Sequence, residues 1–341
     1  MKRVARPSGV PGAISPQEAL FDAGERLSEL PVCDHYAGVE ARMVKSLALQ
    51  AELGPVFDVT LDCEDGAPVG AEVEHAQLVA EMAMSARNVH GRCGVRVHPV
   101  DHAAFAGDVA IIVGAARSRL AYLMLPKIDG VADVERAAAA IDAAGGATIP
   151  LHALVETHGA LREVAAIAAH PRIESLSFGL MDFVSAHRGA IPASAMSADG
   201  QFAHPLVVRA KLEIAAACHG FGKTPSHCVV TEVADPATVA HAATRAAREF
   251  GYTRMWSIHP GQIRPIVAAF APDPGDVEEA AAIIAAAAAV GWAPIQRAGA
   301  LHDRASYRYW WRLLARARRT GMRLPEPVER YFVTDDRAPS S

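Results

Sequence analysis

The chain has 341 residues, a formal net charge of -5, and 51% hydrophobic against 21% charged residues. That length can bury a large core, and a mildly acidic balance with a pI near 6.3 leaves no electrostatic footprint for nucleic acid or an anionic membrane. Five cysteines, Cys33, Cys63, Cys93, Cys218 and Cys228, make no C-x-x-C pair, which excludes a zinc ribbon and a disulfide framework and points to a reducing, cytoplasmic setting.

The opening MKRVARPSGVPGAISPQEALF is broken by Pro and Gly before any apolar stretch, so no secretory signal is expected. The longest apolar run, 280–290, is closed by Gly291 and Pro294 well short of a membrane span. Residues 1 to about 16 read as a mobile arm, and 16–30 as a short helix.

From there strands and helices alternate. LPVCD (30–34) is the first expected strand, followed by a helix over 39–53; FDVTLDCED (57–65) is the second and ends in Asp62, Glu64 and Asp65. A helix over 72–87 leads to GVRVHPVD, with Arg96 and His98 at its end. A helix near 103–118 then leads to LAYLMLPKID, with Lys127.

After a helix over 131–144, strands at 148–156 and 173–182 flank an alanine-rich helix at 159–170, the pattern of a β-α-β unit ending in Glu156 and Asp182. The segment 186–201 is long for a connection and rich in Gly, Pro and Ser, which marks an active-site loop or lid. Helix 204–219, strand 227–233, helix 236–250 and strand 254–260, with His259, complete eight alternations. They predict an α/β TIM (β/α)8 barrel with a C-terminal helical extension. The domains expected are an arm and helix at 1–29, the barrel at 30–272 and a helical lid or oligomerisation segment at 273–341. In that last segment Tyr307, Tyr309, Trp310 and Trp311 form an aromatic stripe suited to packing or a subunit interface.

In a parallel barrel all strand ends meet at one mouth, so these scattered residues become neighbours. Glu156 and Asp182 suit Mg²⁺, which takes one or two carboxylates and completes its shell with water and substrate oxygens. The plainer alternative is that Glu156 starts a helix and Asp182 caps a loop. Glu64 and Asp65 would lie beside the metal, and Arg96 would bind a carboxylate or neutralise a developing negative oxygen; a buried ion pair is its alternative. Lys127 is read as a substrate contact or a salt bridge, and His35 as an outside candidate for a base. The set suits a hydroxy or oxo acid undergoing carbon-carbon cleavage.

LDCEDGA, VRVHP, LPKI, ALVETHGAL, SFGLMDF and WSIHPGQI, in this order and spacing, resemble the HpcH/HpaI aldolase/citrate lyase family, in its citrate lyase beta subunit and malyl-CoA lyase-like branch, from about residue 30 to 309. The resemblance implies a Mg²⁺-dependent TIM-barrel lyase with Glu156 and Asp182 as metal ligands and Arg96 as the substrate arginine. Beside these, the reading of the strand ends makes Glu64 and Asp65 candidate catalytic residues, and Asp62 and Lys127 candidate substrate contacts. The resemblance also implies that Asp303, in GALHD, is a proton-transfer acid reaching a neighbouring subunit's site. The reaction implied cleaves or forms a 3-hydroxyacyl-CoA-type or related hydroxy acid, giving an oxo acid such as glyoxylate or oxaloacetate and an acyl enolate. Homo-oligomers, trimer or hexamer, are expected, with no nucleic-acid or membrane partner.

The chain departs from the family pattern at several places. The first strand lacks the family's arginine, Arg254 and Met255 stand where Gly-Lys is common, and 232–235 lack the arginine of Asp-Phe-Arg-Asp. His98 replaces an asparagine. These changes bear on the acyl carrier, so a pyruvate-dependent class II aldolase on free acids, a non-catalytic lyase-complex subunit, and, more remotely, a phosphoenolpyruvate phosphotransferase are the competing readings.

Overall fold

The computed structural model describes residues 14–22, 25, 28 and 30–333; the arm expected before residue 14 lies outside them. Eight parallel strands close into a barrel in chain order: β1 Cys33–Ala37, β2 Phe57–Asp62, β3 Cys93–Arg96, β4 Leu120–Leu125, β5 Leu151–Val155, β6 Ile173–Phe178, β7 Thr224–His227 and β8 Arg254–Ser257. β8 returns to pair with β1, Trp256 lying beside Asp34. The outer face of the ring is aliphatic, with Val59, Leu61, Val95, Leu123 and Met255 packed into the main core with the surrounding helices. Burial of that layer is the principal stabilising term.

The inner face is polar. Arg254 of β8 is wholly buried and pairs with Asp34 of β1 at 3.1 Å and Asp58 of β2 at 2.7 Å. Asp58 also takes Arg92, and the Tyr122 hydroxyl donates to Asp34 at 2.9 Å. Tyr122 lies across the ring because β3 offers Gly94 beneath it: a β-carbon there would stand 2.2 Å from the tyrosine ring. Nearer the mouth Tyr36, Met124, Leu154 and Trp256, from β1, β4, β5 and β8, form a small apolar floor.

Several strand boundaries differ from the sequence reading. β1 lies at 33–37 rather than 30–34; Pro31 has no N–H to give a ladder, and its carbonyl instead accepts from Arg254 Nη1. β7 precedes the expected 227–233: its Thr224 and Ser226 lie beside Ser175 and Ser177 of β6, so hydropathy does not mark it. The apolar Cys228 and Val230 beyond it pack into the outer core. β6 ends at Phe178 rather than Asp182, because Gly179 turns the chain into a short helix, Leu180–Ser185. The helix expected at 159–170 is two, His158–Arg162 and Val164–Ala169. They break at Glu163, whose carboxylate accepts from the N–H of Val131.

The chain divides into two compact units, one of them Ser28–Phe270. The other joins described residues from both ends: the short helix Pro16–Leu20, the helices Pro274–Ala289, Arg304–Arg319 and Glu326–Val333, and a hairpin of Ile295–Arg297 with Ala300–His302. Leu20, Phe21, Ile284, Tyr307, Trp311 and Val328 share its core, and the guanidinium of Arg308 donates to the carbonyl of Leu20. The N-terminal helix therefore packs with the C-terminal helices instead of standing apart. Among the described residues no helix is long and apolar enough to cross a membrane.

Candidate active site

Parallel closure places the C-terminal ends of all eight strands on one face. Asp62 and Arg96 are the last residues of the neighbouring β2 and β3 and pair in register. Arg96 Nε and Nη2 reach Asp62 Oδ1 and Oδ2 at 2.7 and 2.5 Å, and Arg96 Nη1 lies 2.9 Å from Glu64. Asp62 is itself fixed by the N–H groups of Glu64 and Gly66. The guanidinium, 8% exposed, lies over the Tyr36 ring. Burial would lower its pKa, but Asp62 and then Glu64 raise it, so it stays charged. Two of its five N–H bonds go to Asp62, and Nη1 makes an ion pair with Glu64.

Glu156 follows β5 directly and is 3% exposed. Its Oε1 accepts from the backbone N–H of Lys127 at 2.6 Å. Gly179 closes on the other oxygen: a β-carbon at that residue would fall 2.1 Å from Oε2. Burial first, and then the charge of Asp182, push the carboxyl up to about 8. Asp182 occupies the first turn of Leu180–Ser185 rather than a strand end. The β-α-β geometry still brings it near enough for its charge to act on Glu156.

Lys127 lies two residues beyond β4 with a left-handed backbone, φ 49. Its ammonium binds Glu64 and, at 3.1 Å, Asp65. Burial opposes its charge, yet Glu64 and Asp65 raise its pKa, and Lys127 in turn lowers that of Asp65 against the upward pull of burial. Asp62, Glu64, Asp65, Arg96, Lys127 and Glu156 thus form one connected cluster, and the charge of Asp182 acts on Glu156. Asp303 belongs to the other unit, exposed, where its Oδ1 caps Arg304–Arg319 by accepting from Ala305 and Ser306.

The histidines fall outside this cluster. His35 bonds Ser257 Oγ at 2.9 Å, and burial, then His259, lower it to about 4, so it is no base for the mouth. His259 accepts from the N–H of Gly261 at the start of Pro260–Phe270. His98 is held by Asp108, Nδ1 to Oδ2 at 2.7 Å. Arg254, flagged as a departure near the acyl carrier, instead lies buried in the barrel interior. The segment 186–201 contains the short turn Ala193–Met196 and leads into another, Gly200–Phe202; Gln201 Oε1 accepts from buried Lys211 and from the Cys228 thiol.

Among the described residues no three His, Cys, Asp or Glu side chains gather as a metal cage. A pair of carboxylates, one held up in pKa first by burial and then by the charge of the other, is a donor set that a divalent cation would relieve. Two protein oxygens and an otherwise open shell suit Mg²⁺ better than zinc or calcium. The residues present fit the ion.

Comparison with known proteins places this arrangement. The family model of HpcH/HpaI aldolase/citrate lyase matches residues 44–260, more than half of the chain. The chain belongs to the HpcH/HpaI aldolase/citrate lyase family. The family resemblance expected from the motifs is thereby borne out, as is the barrel. Among curated proteins it is similar to the L-malyl-CoA/beta-methylmalyl-CoA lyase of Cereibacter sphaeroides, 30% identical over 246 residues, covering 67% of this chain and 76% of that one. Among solved structures it resembles a protein of Burkholderia xenovorans LB400 described as a citrate lyase, with 55% identity, TM-score 0.80, and coverage of 94% and 99%. The protein CitE of Mycobacterium tuberculosis, solved with magnesium, acetoacetate and coenzyme A, shares the fold at 22% identity, TM-score 0.64, and coverage of 84% and 98%. The Cereibacter sphaeroides and Burkholderia xenovorans proteins are named as lyases, and this chain is an enzyme of that carbon-carbon lyase class.

Proposed function

We propose that this HpcH/HpaI family member is a Mg²⁺-dependent lyase that cleaves or forms a 3-hydroxyacyl thioester or closely related hydroxy acid, with a short oxo acid as one product. The observation that carries the reading is the pairing of two sites at one mouth: buried Glu156 within the field of Asp182, and Arg96 held by both oxygens of Asp62 and ion-paired with Glu64. The magnesium found in the Mycobacterium tuberculosis relative and the malyl-CoA named for the Cereibacter sphaeroides one support the ion and the substrate class.

Glu156 and Asp182 would hold the ion, which when bound supplies a Lewis acid for the oxygens of the oxo acid. Arg96 binds the acid's carboxylate or balances the oxygen that gains charge as the carbon-carbon bond breaks, and Asp62 keeps its fork in plane. Glu64 and Asp65 hold the negative side of the balance at the rim. Asp303, supplied by a neighbouring copy of the chain, is assigned the proton transfer to the enolate, which makes the functional protein a homo-oligomer.

The test is product analysis of purified protein with Mg²⁺, offered L-malyl-CoA and, separately, free malate and citrate. Glyoxylate and acetyl-CoA released only from the thioester support the reading. Equal cleavage of the free acids would turn it into a free-acid aldolase, and release of intact malate with CoA would make the protein a thioesterase.

A further inference from the structure

We infer that Lys127 is a positioning residue that joins the two halves of the site, its main chain serving the metal carboxylate and its ammonium serving the arginine clamp. This rests on the reading of Glu156 and Asp182 as metal ligands. Its N–H donates to Glu156 Oε1 at 2.6 Å, while its Nζ bonds Glu64, which lies 2.9 Å from Arg96 Nη1. One residue on β4's end thus spans from the end of β5 to the loop after β2.

The backbone shows that this span is imposed. A lysine at φ 49 is uncommon, and the left-handed region costs a residue with a β-carbon of the order of 1 kcal/mol. The conformation turns the N–H toward Glu156 and sends the side chain the other way, toward Glu64 and Asp65. Gly179 completes the grip on Glu156 by leaving no β-carbon on the far side of the carboxylate. A lysine meant for substrate would keep its ammonium available; this one is already divided between two acids and only 34% exposed along its side chain.

Backbone and side chain therefore separate in their effects. The experiment measures Mg²⁺ affinity by calorimetry, and glyoxylate affinity at saturating Mg²⁺, for the wild type and for K127M, K127R, K127N, K127V and E156Q. Asparagine tolerates the left-handed conformation and valine resists it. K127N and K127M are expected to keep Mg²⁺ affinity within about threefold, and K127V to weaken it about tenfold. K127M and K127N are expected to weaken glyoxylate binding at least fivefold, because Glu64 then turns its full charge on Arg96, and K127R to restore it.

Equal Mg²⁺ loss in K127M, K127N and K127V would overturn the inference, since the ammonium and not the backbone would be responsible. Unchanged glyoxylate affinity in K127M would overturn it from the other side. E156Q separates this from failure of the metal reading itself: normal Mg²⁺ binding by E156Q means that the ion lies elsewhere, whatever the Lys127 variants do.

Discussion

Gly179 approaches Glu156 so closely that a β-carbon on it would stand 2.1 Å from Oε2 and 2.5 Å from the glutamate's own Cβ. The φ of Gly179 is -90, a value open to any residue, so Gly179→Ala adds bulk without backbone strain. The carboxylate must swing away from the Lys127 N–H. We expect Mg²⁺ affinity to fall about tenfold or more, with the far-ultraviolet circular dichroism unchanged; an alanine variant that binds Mg²⁺ normally would show that Glu156 does not need this posture.

Removing the metal carboxylates should be visible in stability as well as turnover. Ligand binding to the native state alone stabilises it by about 2.7 kcal/mol at a hundred times Kd. Thermal unfolding of the wild type should therefore rise with added Mg²⁺, whereas that of Glu156→Gln and Asp182→Asn should stay flat and their lyase activity should drop at least ~100-fold. A Mg²⁺-dependent rise that survives in both variants would count against this site.

Arg96 separates charge from shape. Arg96→Ala leaves Asp62 buried without its cation, while Glu64 keeps Lys127, a loss on the order of 3–5 kcal/mol. Arg96→Lys keeps the charge but gives up the planar fork, so we expect a folded protein whose kcat/KM falls about 100-fold. Denaturant titration and steady-state kinetics on the two variants decide it, and a lysine variant of full activity would refute the bidentate role.

Lys211 gives a pH dependence that belongs to no part of the mouth. It is fully buried, its ammonium donates to Gln201, and burial lowers its pKa to about 8 from an ordinary 10.5. Between those values the unfolded chain holds the proton that the native chain has lost, so this residue makes stability climb as pH rises from about 8 to 10.5. Below 8 the cost of burying the ammonium is fully present, about 3 kcal/mol. Lys211→Met should be the more stable protein at pH 7 and should remove this part of the climb. Parallel curves for the two proteins across pH 7–10 would disprove the assignment.

The sequence carried the barrel because the outer layer of most strands and the alternation with helices are written in hydrophobic spacing. It carried Glu156 and Arg96 because both stand where an apolar run stops. Asp182 was legible as an acid but not as a helix residue, since nothing in SFGLMDF marks the turn at Gly179. β7 was misplaced because its interior neighbours are serines and its face is therefore not apolar. The left-handed turn at Lys127 follows from the positions of Glu156 and Glu64 on other strands, and no local spacing encodes it. Arg254 stood out only as a departure from the family's Gly-Lys; that it fills the ring follows from Asp34 and Asp58 being drawn to it across closure.

That last contact has a consequence for assembly. The two aspartates stand on the first two strands and the guanidinium on the last, so a ring missing its final strand leaves Asp34 without its cation and Asp58 with Arg92 alone. Each partial sheet is then penalised until the two ends of the barrel meet, and the final strand supplies both the missing wall and the missing counter-charge. Closure is in this way verified by charge as well as by shape, and a truncated or slipped ring is discouraged from persisting as a half-built product.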